Sequence, residues 1–130
     1  MAGPGRGEVL LVTCRALPEG EPGAAVLDRA LAARGVPARW VAWDDPAVAW
    51  QSAPLVAVRS TWDYDVRLPE FLAWAAEVGP ALLNGASVFA WNTDKSYLVD
   101  LARAGWPVVP TATVASAHDL AAAVAAHRVA

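Results

Sequence analysis

Ten of the 130 residues are basic, and Lys95 is the one lysine among them; the others are Arg6, Arg15, Arg29, Arg34, Arg39, Arg59, Arg67, Arg103 and Arg128. Such an arginine bias accompanies GC-rich coding sequence, so the retained lysine raises the question of what an ammonium can do there that a guanidinium cannot. A compact ammonium on a flexible stem meets a phosphate oxygen as a point charge, whereas the planar guanidinium fork matches a flat carboxylate. Lys95 stands in Asn92-Thr93-Asp94-Lys95-Ser96-Tyr97-Leu98. Thr93 reads as an N-cap and puts Lys95 in the first turn of a helix. Free N–H groups and the dipole of that turn favour anions. A lysine there opposes the dipole slightly, so helix stability gives no reason for it. Two readings stay open on these residues alone. Lys95 is a phosphate contact, or it is a solvated surface lysine, since such end charges are worth only about 0.3–1 kcal/mol.

A second group of side chains suits the recognition of a small polar molecule. Arg59-Ser60-Thr61-Trp62-Asp63-Tyr64 offers in turn a cation for a carboxylate, two hydroxyls, an indole platform, an acid and a phenol. It follows a short apolar run, and ligands of open parallel α/β sheets gather outside the carboxyl ends of strands. Thr13-Cys14-Arg15 follows another such run and qualifies on the same ground, so Thr13 and Cys14 join Arg59, Ser60, Thr61, Trp62, Asp63 and Tyr64 as candidate substrate contacts. The competing reading is a loop in which Arg59 and Asp63 pair with each other and Trp62 caps the core.

Other chemistries are excluded. Cys14 has no activating histidine nearby in sequence, because His118 and His127 both fall in the last predicted helix; a small buried hydrophobe is the better reading of this thiol. The same scarcity removes a His/Cys metal site. Neither G-x-G-x-x-G nor G-x-x-x-x-G-K-[ST] occurs, which leaves dinucleotide and Walker-type phosphate binding without support. Asp44-Asp45-Pro46 reads as a turn.

The elements that must position these residues follow from the apolar pattern. Glu8 to Thr13 is a buried parallel strand, Ala38 to Trp43 a second, Leu55 to Val58 a third, and Ala81 to Leu83 a fourth. A helix is predicted over Glu21 to Arg34 with Val26, Leu27, Ala30 and Leu31 on its inner face, stopped by Gly35 and Pro37. Another begins around Pro69, buries Phe71, Trp74, Ala75 and Val78, and closes at Gly79. A helix over Asp94 to Ala104 turns Tyr97, Leu98 and Leu101 inward, a strand bent by Pro110 runs from Val108 to Val114, and Ser116 N-caps a last helix reaching about His127. Strands alternating with helices give an α/β fold, a small open parallel sheet with helices on both faces. Residues 1–92 form this domain. Residues 93–130 open a second one, since one strand and one terminal helix make no sheet of their own.

Composition bounds the setting. The chain is long enough to bury roughly two-thirds of its unfolded surface, and its seven tryptophans each bring about 150–250 Å² to bury. A net charge of −3 without a basic stripe argues against nucleic acid or an anionic membrane as partner. One cysteine rules out an internal disulfide and fits a reducing cytoplasm. The apolar run at Val9 to Val12 is too short for a signal peptide, and no run approaches a membrane span. The expected partner is a small-molecule substrate, and a homo-oligomer stays open.

Taken together, Leu55-Val-Ala-Val-Arg-Ser-Thr-Trp-Asp-Tyr64, Leu82-Leu-Asn84, Trp91-Asn-Thr-Asp-Lys95 and Leu101-Ala-Arg-Ala-Gly-Trp-Pro-Val-Val-Pro-Thr111 resemble the ATP-grasp superfamily. The nearest likeness is to the branch holding the cyclo-ligase of cycloserine biosynthesis and glutathione-synthetase-like proteins. The resemblance implies a pre-ATP-grasp substrate domain followed by the first elements of a nucleotide-binding domain. It implies that Lys95 contacts ATP phosphate and that the Arg59–Tyr64 loop lies on the substrate side. It also implies the chemistry of a carboxylate activated as an acyl phosphate for attack by an amine, with Mg²⁺. A complete member continues well beyond the length of this chain, with a lid lysine, an adenine-binding hinge and late acidic and Asn metal ligands, so this chain alone is expected to be inactive. The alternatives are a non-catalytic α/β module binding a small ligand or a protein, and a truncated product without function of its own.

Overall fold

A computed structural model describes residues 7–127. The chain divides into two compact units, Met1–Ala90 and Trp91–Ala130. The first is built on three parallel strands, β1 (Val9–Thr13), β2 (Ala38–Ala42) and β3 (Leu55–Ser60), in the order β2-β1-β3. The central strand is the most apolar and is buried on both sides, as expected where helices cover both faces. Leu10 and Val12 point to one face with Val41 and Val56, and all four enter the core. Helix α2 (Leu68–Val78) covers that face with Phe71, Trp74, Ala75 and Val78, the four residues that its apolar period predicts. Leu11 points to the other face by alternation. There Trp40, its neighbour in register, donates an indole hydrogen bond of 2.9 Å to Asp28 of helix α1 (Ala24–Ala32). The expected α/β fold, with helices on both faces of a small open sheet, is what the chain adopts.

The core centres on aromatic rings. Phe71 is stacked on Trp74 at 5.3 Å and meets Trp43 edge-on at 5.5 Å, and Trp74 in turn meets Trp50 edge-on at 5.2 Å. Offset and edge-to-face contacts of this kind add to the burial energy of the rings.

Two helix stops share one mechanism, as their common Ala-Arg-Gly or Ala-Gly punctuation implies. Gly35 and Gly105 take left-handed backbone at φ 67° and 83°. Each lets the following N–H reach back to the carbonyl five residues earlier, Val36 to Leu31 and Trp106 to Leu101, both at 3.0 Å.

Several elements differ from the expectation. Helix α1 starts at Ala24 rather than Glu21, because Pro22 and a left-handed Gly23 precede it, and Val26 is exposed. Ala81–Leu83 is not a strand. Residues Gly79–Ala81 form a 3-10 turn, and pairing is limited to a single parallel bridge, Val56 to Leu82; Pro80 supplies no N–H for a longer ladder. Helix α3 (Gly85–Asn92) follows where no element was expected. In the second unit, α4 runs only over Tyr97–Arg103. Its approach is turned by Asp94, whose Oδ1 accepts from Ser96 N–H at 2.9 Å, so Thr93 is not the cap. Val108–Val114 is irregular chain and not a strand, since Pro107 and Pro110 remove donors and no described strand lies in this unit to pair with it. Helix α5 (Ala117–Ala126) is capped as expected, Ser116 Oγ accepting from Asp119 N–H at 3.1 Å. No helix among the described residues is long and apolar enough to cross a membrane.

Candidate functional site

The carboxyl ends of the three strands lie side by side, and an irregularity of the ladder decides what they present. Pairing of β1 with β3 runs in step from Val9–Leu55 to Val12–Val58 and then slips, so that Thr13 faces Ser60 and Arg59 is passed over. A bulge of this kind re-aims side chains. Ser60 Oγ donates to Thr13 Oγ1 at 2.8 Å, and Thr13 Oγ1 donates to the Leu17 carbonyl at 2.7 Å. Thr13, Cys14, Ser60 and Thr61 are all buried. The Thr13 and Ser60 hydroxyls therefore brace the strand tips, and the Cys14 thiol belongs to the apolar core.

Arg59, passed over by the slip, turns outward. It donates from Nη2 to Glu21 Oε1 at 2.6 Å, a pairing across 38 residues of sequence that joins the β3 tip to the turn before α1. Burial pushes the Glu21 carboxyl up, but hydrogen bonds from its own backbone and from Arg59 outweigh this and hold it below the usual carboxylate range. Asp63 does not pair with Arg59. Its Oδ1 accepts from Trp43 Nε1 at 3.0 Å, and Arg67 Nη1 lies 3.6 Å from its Oδ2. Tyr64 rests on Phe71 at 5.6 Å, and Trp62 is 62% exposed. Of the six loop residues, Arg59 and Trp62 thus face solvent, while the others are wholly or partly built into the fold.

Three residues near these tips, Asp44, Glu21 and Arg67, escape a reading of the sequence. Asp44, expected to be only a turn former, accepts one bifurcated hydrogen bond from Arg15 Nε, shared between its two oxygens at 3.0 Å each, and one from Arg67 Nη1 at 2.8 Å. Glu21 was placed inside a helix, and nothing in the spacing singles out Arg67. Arg15, Asp44 and Arg67, one after each strand, line an open groove of about 700 Å³ together with Trp43, Glu70 and Trp74. Arg59 to Tyr64 do not line it.

Burial also raises the Asp44 carboxyl, and the Arg67 and Arg15 hydrogen bonds more than offset this, leaving it below its ordinary value of 3.8. A carboxyl depressed in the fold stabilises it above the unfolded-state value, and that contribution is lost as pH falls through the folded value. Thermal stability is therefore expected to hold from neutral pH to about pH 5 and to fall below about pH 4. Asp44→Asn should be less stable at neutral pH and show a shallower acid decline by calorimetry. An acid decline as steep as wild type would remove Asp44 as its source.

In the second unit Lys95 is exposed and precedes α4 instead of occupying its first turn. The argument from the helix dipole loses force accordingly. Its Nζ donates to the Asn92 carbonyl at 2.8 Å and sits 5.9 Å from the Tyr97 ring centroid. Among the described residues no carboxylate pairs with it, and no three His, Cys, Asp or Glu side chains converge to hold a metal ion.

Comparison with known proteins gives three findings. Residues 9–84 match the family model for the N-terminal domain of D-cycloserine synthetase DcsG. The chain is 39% identical over 92 residues to the cycloserine biosynthesis protein DcsG of Streptomyces lavendulae, an alignment covering 69% of this chain and 31% of that protein. It is also similar to the crystal structure of D-cycloserine synthetase DcsG, with a TM-score of 0.73 and 36% identity over 92% of this chain and 41% of that one. The chain spans less than half the length of the proteins it matches.

Proposed function

The chain belongs to the family of D-cycloserine synthetase DcsG N-terminal domains, and from that premise we propose that it is the front portion of an ATP-grasp ligase acting on a small, amino-acid-like substrate. Residues 1–92 form the substrate-side domain in this reading, and 93–130 the first elements of the nucleotide-binding domain. One observation carries it. The matched span 9–84 contains all three strand tips, and the ladder slip there sets an outward Arg59 beside a buried Thr13–Ser60 hydroxyl brace.

Arg59 and Trp62 are the loop side chains placed to meet a substrate, a cation for an anionic group and an indole for a flat face. Thr13 and Ser60 hold the backbone under them by their hydroxyls, and the Thr61 carbonyl takes the Tyr64 N–H. Bound ATP with Mg²⁺ would supply the phosphoryl group that turns a carboxylate into an acyl phosphate open to an amine. Lys95 fits one phosphate contact, because its ammonium is exposed and held only by a backbone carbonyl that a phosphate oxygen can replace. The described residues offer no ligand set for Mg²⁺, so that site is not assigned to this part. The reaction takes place in the cytoplasm in this account.

The name of the matched synthetase supplies a probe. Titration of this chain with D-cycloserine, followed by tryptophan fluorescence, should give a saturable change that Trp62→Phe reduces and Arg59→Ala weakens. No change in the wild-type chain up to millimolar concentrations would count against a substrate-side site at these strand tips. The alternative, a non-catalytic binding module, uses the same sheet edge without Lys95, and calorimetry with ATP and Mg²⁺ separates it, since only the ligase reading predicts a heat that Lys95→Ala removes.

A further inference from the structure

Beyond Ser60 the chain leaves the sheet, and the backbone bond within the loop, Tyr64 N–H to the Thr61 carbonyl at 3.1 Å, ties it only to itself. Its attachment to the rest of the fold is made by side chains. We propose that Arg67 is the positioning residue of the candidate site, its guanidinium clamping the Arg59–Tyr64 loop to the tip of β2 and, through Asp44, to the tip of β1.

The guanidinium divides its contacts, Nη1 turning to Asp44 and Asp63 while Nε, at 3.5 Å, and Nη2 turn to Glu70. Nη1 donates to Asp44 Oδ2 at 2.8 Å and lies 3.6 Å from Asp63 Oδ2. Nη2 donates to Glu70 Oε2, in the first turn of α2, at 2.7 Å. The carbon at the centre of the fork lies 4.4 Å from the Trp43 ring centroid. Trp43 then donates its own indole N–H to Asp63 Oδ1 at 3.0 Å. Asp63 is thereby held on one oxygen by the indole and faced on the other by the cation that fixes the indole's plane. Asp44 carries the clamp onward, because Arg15 after β1 grips both of its oxygens. One planar fork that donates to Asp44 and Glu70 while facing Asp63 is required for this. A lysine supplies the charge without the fork or the stacking face.

The competing view is that Arg67 only supports α2 through its i,i+3 contact with Glu70. That role would leave the loop unaffected, which separates the two. Hydrogen exchange of the Tyr64 amide and the Trp43 indole N–H, measured by NMR in the whole chain, reads the clamp directly. Arg67→Lys is expected to speed both exchanges at least about tenfold and to shift the Trp43 indole resonance, while β1 amides exchange as in wild type. Glu70→Gln, which touches only the α2 contact, should leave both near wild type. Unchanged exchange and an unmoved indole resonance in Arg67→Lys would overturn the proposal, as would an equal loss in Glu70→Gln.

The functional half of the proposal rests on the ligase reading, and its readout is separate. Arg67→Lys is expected to weaken D-cycloserine binding by about tenfold or more, the scale on which misplaced contacts act. Binding as tight as wild type would overturn Arg67 as a positioning residue. A wild-type chain that binds no D-cycloserine would instead remove the ligase reading and leave the exchange result to decide the clamp.

Discussion

Phe71→Ala is expected to lower the unfolding free energy by about 3–5 kcal/mol, the usual cost of emptying a large aromatic site in a packed core. Phe71 is 1% exposed and joins parts of the first unit that are distant in sequence. Its ring meets Trp43 after β2, Tyr64 in the loop after β3, Trp74 on its own helix and Phe89 on α3, all within 6 Å. The two largest neighbours cannot collapse freely into the space, because Trp43 is tied to Asp63 at 3.0 Å and Trp74 packs on Trp50 at 5.2 Å. Against a typical domain stability of about 5–15 kcal/mol, the loss takes a large share of the total. Because Tyr64 rests on Phe71, the end of the candidate loop should loosen as well. Val26→Ala, at a position 63% exposed, should change stability by no more than about 0.5 kcal/mol. Urea denaturation of the three proteins checks this, and a Phe71→Ala loss as small as that of Val26→Ala would mean that the aromatic cluster does not hold the fold.

The second large effect concerns Lys95. Let this chain replace the portion of the Streptomyces lavendulae protein that it matches, so that the rest of the synthetase is supplied. Lys95→Ala in that joined protein is expected to cut ATP-dependent turnover on the order of 10²-fold, the scale of losing one charge-stabilising donor. Stability should barely move, since the side chain is exposed and its one hydrogen bond is to the Asn92 carbonyl. Lys95→Arg should recover little of the loss, because a fork does not take the place of a point charge. Turnover unchanged in Lys95→Ala would make Lys95 an ordinary surface lysine.

Where the apolar pattern is strongly periodic, the fold was legible in the sequence. The buried run of β1 and the face of α2 carrying Phe71, Trp74, Ala75 and Val78 both follow from it, and the left-handed glycines at 35 and 105 mark their helix stops. Illegibility came from two sources. Gly85–Asn92 is apolar nearly all round and shows no face, so a helix there has no period to announce it. Ala81–Leu83 and Val108–Val114 look like strands by residue type, yet a strand exists only with a partner, and Pro80 before the first and Pro110 within the second limit pairing.

The candidate site divides along the same line. That polar residues gather after β1 and β3 was evident from the apolar runs before them. What each residue does depends on register and on distant partners. A slip of one residue at Thr13 decides that Ser60 is buried and Arg59 is outward, and no local pattern encodes it. Asp44 looks like a turn residue because its two arginine partners are 29 and 23 residues away. Arg67 stands outside the recognisable loop, although its guanidinium reaches the residues that hold that loop in place.

The joined protein also tests the proposed substrate side directly. In the proposed function this chain supplies the substrate side and first phosphate contact of a DcsG-like synthetase. The measurement is ATP-dependent D-cycloserine formation by the joined protein, with the Arg59→Ala variant alongside. Product is expected from the joined protein and a marked loss in Arg59→Ala, with folding unchanged by circular dichroism. A joined protein that folds and binds ATP yet forms no D-cycloserine, or one whose rate ignores Arg59, would contradict that function.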